Sequence, residues 1–505
     1  MSHIVEMGAA PLSAGALTEI ARTQAVVALA PEARETIVSS YAALKALVSG
    51  GAAIYGISTG LGAAVDIRIS QPDAAAQERV ALARSVGVGR HARQDEVRAM
   101  MAARIARLAR GRSGASPEAV DALLSLLNRG VHPVVPMTGS VGAADLAPLA
   151  HIASVLIGAG EAEYEGEVLP GAEALARAGL HPLHLKGKDG LALVSSNAAA
   201  VGLAALVISD ARPLLAGLLA AAALSFEGYR ATLAPLSPRA VELHPVPGQA
   251  WVAETLLKAF AGGDLVKPGA SRRLQDPLSF RCVGPVYGAL VRVLAAALAQ
   301  FELELNSSDD NPAILPGEGL SQPTANFDTT HLALAFESLG LAMARVAAAC
   351  GERIMKLMSP ASSDLPRFLS PVEGQSGFST VQKTVSALTA EIQHRAMPMP
   401  VVLMPVADRV EDYGTMALAI VEKTGEIVAR LRLLAAIELM VAAQACDLRA
   451  GITLGNVNSV VHNHVRSVVA PLRDDRPTSA DIVAIEALIR RGVFDPLFPW
   501  PSGAH

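Results

Sequence analysis

Four side chains in this sequence could do chemistry: Tyr55, Arg281, Glu411 and Lys383. Tyr55 opens Tyr55-Gly56-Ile57-Ser58-Thr59-Gly60-Leu61-Gly62, a loop by its glycine density. A phenol is a weak base unless nearby cations or hydrogen bonds stabilise its anion; otherwise such a tyrosine only covers a core edge. Arg281, in Gln275-Asp276-Pro277-Leu278-Ser279-Phe280-Arg281-Cys282, offers a planar fork suited to a carboxylate or to a structural ion pair. Glu411, in Arg409-Val410-Glu411-Asp412-Tyr413-Gly414, can accept a ring N–H or sit as an acid on a helix surface. Lys383 falls on an otherwise apolar Val/Ala/Leu face. An ammonium there is costly unless it is paired, Glu411 being a candidate, or serves a ligand.

A fifth feature is the stretch Gly139-Ser140-Val141-Gly142-Ala143-Ala144-Asp145-Leu146-Ala147-Pro148-Leu149-Ala150-His151. It reads as a Gly/Ser turn, an aspartate and an apolar helical run. Asp145 suits the N-cap, with Pro148 tolerated in the first turn. The turn presents N–H groups beside a helix N-terminus, where negative charge is favoured.

The elements that must hold these residues are mainly helical. Residues 32–49 and 96–109 carry apolar side chains at helical spacing, and 163–169 alternate as a small hairpin. From about 192 the pattern lengthens into runs at 196–227, 284–306, 328–359, 377–396 and 408–450, joined by Pro-rich breaks at 233–247, 311–323 and 398–405. A terminal helix is expected over 480–491. The fold class is therefore a bundle of long helices (196–505) with a smaller mixed N-terminal domain (1–195) that carries the tyrosine loop and the 139–145 loop.

Composition agrees. Of 505 residues, 51% are hydrophobic and only 4% aromatic, which suits closely packed Ala-rich rods. A net charge of −5 without a dense basic patch argues against a nucleic-acid partner. Cys282, Cys350 and Cys446 show no metal spacing and are too few for a disulfide framework, so a reducing, cytoplasmic setting is expected and no metal. The apolar run 214–226 is shorter than the roughly 20 residues that span a bilayer, so it reads as a core helix rather than a membrane segment. Rods with this much apolar surface imply a homo-oligomer.

These stretches resemble the histidine and phenylalanine ammonia-lyase family. There Gly-Ser-Val-Gly is followed by Ala-Ser-Gly and then Asp-Leu-Ala-Pro-Leu-Ala-His. The Ala-Ser-Gly cyclises into an electrophilic methylidene-imidazolone (MIO). Here Gly142 and Asp145 flank only Ala143-Ala144, with no serine, so the resemblance implies a vestigial loop and no MIO cofactor. It also implies the fumarase/aspartase-like helical fold, a homotetramer, Tyr55 as β-proton base and Arg281 as carboxylate clamp. Asn326 would bind the carboxylate, Phe327 would wall the ring, and Glu411 would meet an imidazole. Asn306 falls in a further matching segment, and Asn311 before Pro312 reads as a turn residue.

The departures sort by role. Leu278 replaces the second catalytic tyrosine, Ser195-Ser196-Asn197 replaces Asn-Gly-Thr beside the prosthetic group, Arg84 replaces a ring-selecting histidine or leucine, and Lys383 replaces an apolar residue. The residues that handle the amine are changed; those for the carboxylate, the β-proton and the imidazole are kept. A quaternary ammonium needs no electrophile, because it cannot be deprotonated into a worse leaving group. The expected substrate is an imidazole with a carboxylate and a trimethylammonium group, namely ergothioneine, whose sulfur would draw Lys383. The sequence therefore resembles the MIO-free branch, a carbon–nitrogen lyase releasing trimethylamine and thiolurocanate. The alternatives are elimination of ammonia from histidine, or a non-catalytic relative that binds an imidazole ligand.

Overall fold

The computed structural model describes residues 4–68, 74–400 and 404–501. The five expected rods are present as helices Ala198–Tyr229, Val283–Leu305, Thr330–Leu357, Val381–Arg395 and Ala417–Asp447. The last starts nine residues later than its pattern suggests (417 against 408), because Ala407, Asp408, Arg409 and Met416 take left-handed backbone angles that no α-helix accepts. The expected hairpin forms from Glu161–Tyr164 and Glu167–Pro170, and the terminal helix spans Ser479–Arg490. The Pro-rich break at 398–405 lies partly outside the described residues.

The chain divides into two compact units, and the expected boundary after residue 195 is not where they part. One comprises Met1–Ser209, Leu298–Leu334 and Met399–Glu422; the other Asp210–Ala297, Ala335–Pro398 and Lys423–His505. Long helices contribute residues to both units, so no single cut in the sequence separates them.

All named strands belong to the first unit. Its central helix, Gln94–Leu108, is buried from Glu96 to Leu108. Glu96 accepts the Arg93 N–H at 2.8 Å, capping the first turn. Gly202 lets the start of Ala198–Tyr229 approach this helix, since a Cβ there would lie 2.6 Å from the Ala99 carbonyl carbon. His132, on a two-residue strand, is buried, and its Nε2 has no partner among the described residues. Burial, aided by Arg98, lowers its pKa to about 4. The unfolded chain takes the proton near pH 6.5 and the folded chain only near 4. This stabilising contribution is therefore full above 6.5 and lost as the pH falls through that window. Thermal midpoints measured from pH 7 to 5 should decline, and His132→Gln should flatten the slope by up to about one proton.

A buried polar cluster ties four long helices of the second unit. Arg353 meets Glu438 at 2.6 and 2.8 Å, donates to the Tyr287 hydroxyl at 2.6 Å and to the Ser279 carbonyl at 3.0 Å, and Ser225 donates to Glu438 at 2.8 Å. The four long helices that carry Ser225, Tyr287, Arg353 and Glu438 are thereby fixed in register. Gly228 lets two of them touch, a Cβ there falling 2.8 Å from the Ala445 Cβ.

Among the described residues, three helices are long and apolar enough to cross a membrane by length and composition. The most apolar one exceeds the run read from the sequence, because Asp210, Arg212 and Pro213 do not interrupt it, but 94% of its apolar window is buried within the fold. The windows in Val283–Leu305 and Thr330–Leu357 are only 44% and 50% buried, leaving Leu303, Leu334 and Leu341 exposed.

Candidate active site

In the first unit three chain segments meet the loop Gly139–Asp145. Gly142 cannot be replaced without displacing its neighbours: at φ 80° a Cβ would stand 2.3 Å from Thr415 Oγ1 and 2.7 Å from Met416 N. Thr415 Oγ1 donates to the Gly142 carbonyl at 3.1 Å, and Met416 N donates to the Val141 carbonyl at 3.0 Å. Ala143 pairs with Asp328, and Gly142 with Ala144, whose φ is +62°.

Asp145 stands at the N-cap position of Leu146–Leu156 but makes no side-chain bond to that helix. The expected cap is corrected: its Oδ2 accepts from Ala200 N at 2.8 Å, in the first turn of Ala198–Tyr229, and its Oδ1 accepts from Ser140 Oγ at 2.7 Å. The carboxylate is drawn to the longer helix because its own N–H bonds the Ser196 carbonyl at 2.7 Å and fixes the two segments side by side. Burial raises the Asp145 pKa to about 6 despite those donors and Arg107.

Beneath the loop lies a buried ion cluster. Arg104 meets Asp310 at 3.0 Å and Asp309 at 3.3 Å, and Arg107 meets Asp309 and, at 3.2 Å, Glu304. Asp309 also accepts from Ser196 Oγ at 2.7 Å and Asn197 N at 2.8 Å. Ser195, half-buried, precedes them, and Asn197 Nδ2 donates to the Phe327 carbonyl. Phe327 is half-buried and Asn326 exposed on the same turn. Asn306 is a structural tie, bonded to Leu12, Glu302 and Arg110, and Asn311 accepts from Thr324 N at 3.0 Å.

Tyr55 is half-buried, and its hydroxyl accepts the Gly62 N–H at 2.8 Å. A cavity of about 250 Å³ opens along this loop, lined by Gly56, Gly60, Leu61, Gln77, Val80 and Arg84. Burial lowers the pKa of Arg84, while the charges of Tyr55 and Glu411 act in the opposite sense, so these three groups share one electrostatic neighbourhood. Glu411 is half-buried and lies on no helix: its backbone pairs with Val406 in both directions, at 2.9 and 3.2 Å. Gln77 holds the floor, donating to the Gly56 carbonyl at 3.2 Å and accepting from Gly190 N at 3.1 Å.

Arg281 and Lys383 belong to the second unit. Arg281 closes the short helix Leu278–Arg281, donates to Gln275 Oε1 at 3.0 Å and leaves its buried Nε without a partner among the described residues. Leu278 is exposed. Lys383 lies in the first turn of Val381–Arg395, exposed, with no ion pair among the described residues. The expectation of a costly lysine on a buried face is corrected: Val381, Val385 and Ile392 form the buried stripe, and Lys383 points off it.

The sequence profile of the family described as Aromatic amino acid lyase matches residues 12–467. The chain belongs to this family. A histidine ammonia-lyase of Sorangium cellulosum is 37% identical over 495 residues, covering 95% of this chain and 96% of the relative. The crystal structure of ergothionase from Treponema denticola, in complex with desmethyl-ergothioneine sulfonic acid, is similar with a TM-score of 0.90 and 29% identity, over 97% of this chain and 99% of that one. Histidine ammonia-lyase from Trypanosoma cruzi gives 0.91 and 28%, over 99% and 96%.

Within this aromatic amino acid lyase the loop does not fit the family's prosthetic group. Cyclisation needs the serine whose side chain becomes the methylidene, and Ala143-Ala144 supply no hydroxyl. Sequence reasoning missed Gln77 and the Arg104/Arg107/Asp309/Asp310 cluster. For Gln77 no signal exists. For the cluster the signal is Arg98, Arg104 and Arg107 on one otherwise apolar helix.

Proposed function

We propose that this family member is a carbon–nitrogen lyase that eliminates trimethylamine from ergothioneine, giving thiolurocanate without MIO. The observation that carries the reading is the 142–145 loop, which has no residue able to form the electrophile that activates a primary amine. In this reading Tyr55 takes the β-proton, the C–H electron pair becomes the new double bond, and the C–N pair leaves with neutral trimethylamine. Arg281 holds the carboxylate, Glu411 accepts the ring N–H, and Lys383 faces the sulfur; Arg84, Asn326, Phe327 and Ser195 complete the binding set. The roles of Arg281 and Lys383 rest on their sequence motifs. The half-covered apolar helices support a homotetramer.

Incubating pure protein with ergothioneine and with histidine should release trimethylamine from the first and no ammonia from the second. Ammonia from histidine would establish the second reading, which the histidine ammonia-lyase relatives favour. Lys383→Met should lower trimethylamine release about a hundredfold, the order expected for losing one preorganised donor to developing charge. Near-wild-type turnover in that variant removes Lys383 from the mechanism.

A further inference from the structure

The second unit holds a cavity of about 480 Å³ whose lining includes none of the residues assigned above; Arg230, Asp264, Asp364, Arg449 and the turn Ala450-Gly451-Ile452 contribute to it, among others. Its charges do not balance. Asp264 is engaged by Lys267 at 2.6 Å and by the Thr453 N–H at 2.8 Å. Asp364 faces three guanidinium groups, those of Arg230, Arg449 and Arg272, and its bonds to Arg272 are long, at 3.3 and 3.4 Å, while Arg272 also acts on the carboxylate of Asp276. Three guanidinium groups against the two carboxylates of Asp364 and Asp276 leave a positive excess in a protein whose net charge is −5.

The guanidinium groups are built in rather than trailing in solvent. Arg449 is anchored by the Gly228 carbonyl at 3.1 Å and by the Ser363 carbonyl, and Arg230 by the Ala270 carbonyl at 3.1 Å. Arg272 has a side chain only 8% exposed, lies over the Tyr229 ring at 4.7 Å, and keeps buried Nε and Nη2 without acceptors. Among the described residues the terminal nitrogens of Arg230 and one of Arg449 have no protein acceptor. Burial lowers the pKa of Arg449, and Arg230 and Arg272 lower it further. Clustered, anchored guanidinium groups with free donors are costly alone and are relieved by a multivalent anion, which they meet with paired N–H bonds.

We propose that this cavity binds a small organic dianion, a phosphomonoester or a dicarboxylate, between Arg230 and Arg449. The volume leaves room for an organic body beside the anionic group. The site is independent of the lyase reading, and its test needs no turnover. Full-length protein is titrated calorimetrically with inorganic phosphate and with succinate, against chloride at equal ionic strength. Saturable binding is expected for at least one dianion, and the tighter of the two identifies the headgroup. Arg230→Gln should weaken it about tenfold or more, and Asp364→Asn should tighten it about threefold by removing the competing carboxylate. A purely structural role for the cluster predicts no tightening in Asp364→Asn. Heat no different from chloride, or an unchanged affinity in either variant, overturns the site.

Discussion

Tyr55→Phe is expected to lower the turnover number on ergothioneine by about 10²- to 10⁴-fold, the range over which a positioned general base contributes. The phenol oxygen is the only part of the side chain that this substitution removes. The Gly62 N–H points at that oxygen from 2.8 Å, and Arg84 lies in the same electrostatic neighbourhood. A hydroxyl that only covered a core edge would not need a backbone donor aimed at it. The cost in stability should be small, since Tyr55 is half-buried and one partly solvated N–H loses its acceptor. The measurement is trimethylamine release, with the thermal midpoint as control and exchange of the β-hydrogen with deuterated water as the readout of proton abstraction. Loss of turnover with exchange retained would assign the base elsewhere, and turnover within twofold of wild type would end the assignment.

The split between what the sequence reveals and what it hides follows interaction range. The long rods are legible because Ala and Leu recur at helical spacing without glycine or proline breaks, a local signal. The loop 139–151 is legible because Gly142 and Asp145 are each required by the geometry: one because a Cβ there would fall 2.3 Å from Thr415 Oγ1, the other by a buried bond to Ala200. What Asp145 does there is hidden, since its partner is 55 residues away and local rules assign the carboxylate to its own helix. Lys383 misleads for a related reason. Its neighbours in sequence are apolar, but its helix carries a narrow buried stripe and the lysine falls outside it. Glu411 looks helical because the run that follows it is helical, whereas the left-handed backbone at 407–409 places it on a tight backbone pairing. The division into units is hidden because it follows contacts that gather three separate segments into each.

The ion cluster under the loop gives the second large effect. Asp309→Asn is expected to destabilise the first unit by about 3–5 kcal/mol, the usual cost of removing one partner from a buried charge pair. Asp309 is 1% exposed, and although burial acts against its charged form, Arg107 and Arg104 hold its pKa below the ordinary carboxylate value. An asparagine keeps the shape but leaves both guanidinium groups facing a neutral amide. It also replaces one of the oxygens that receive Ser196 Oγ, Asn197 N and Arg104 with an N–H₂ group. Those same bonds set the N-terminus of Ala198–Tyr229, which Asp145 grips from the loop side through Ala200. Turnover should therefore fall together with stability, even though Asp309 is not expected to touch substrate. Ser196→Ala separates the two contributions: it removes a single neutral donor and should cost only about 1 kcal/mol. If Asp309→Asn unfolds at the wild-type midpoint, the cluster does not carry the loop, and the position of the 139–145 turn must be set by its contacts to Thr415 and Met416 instead.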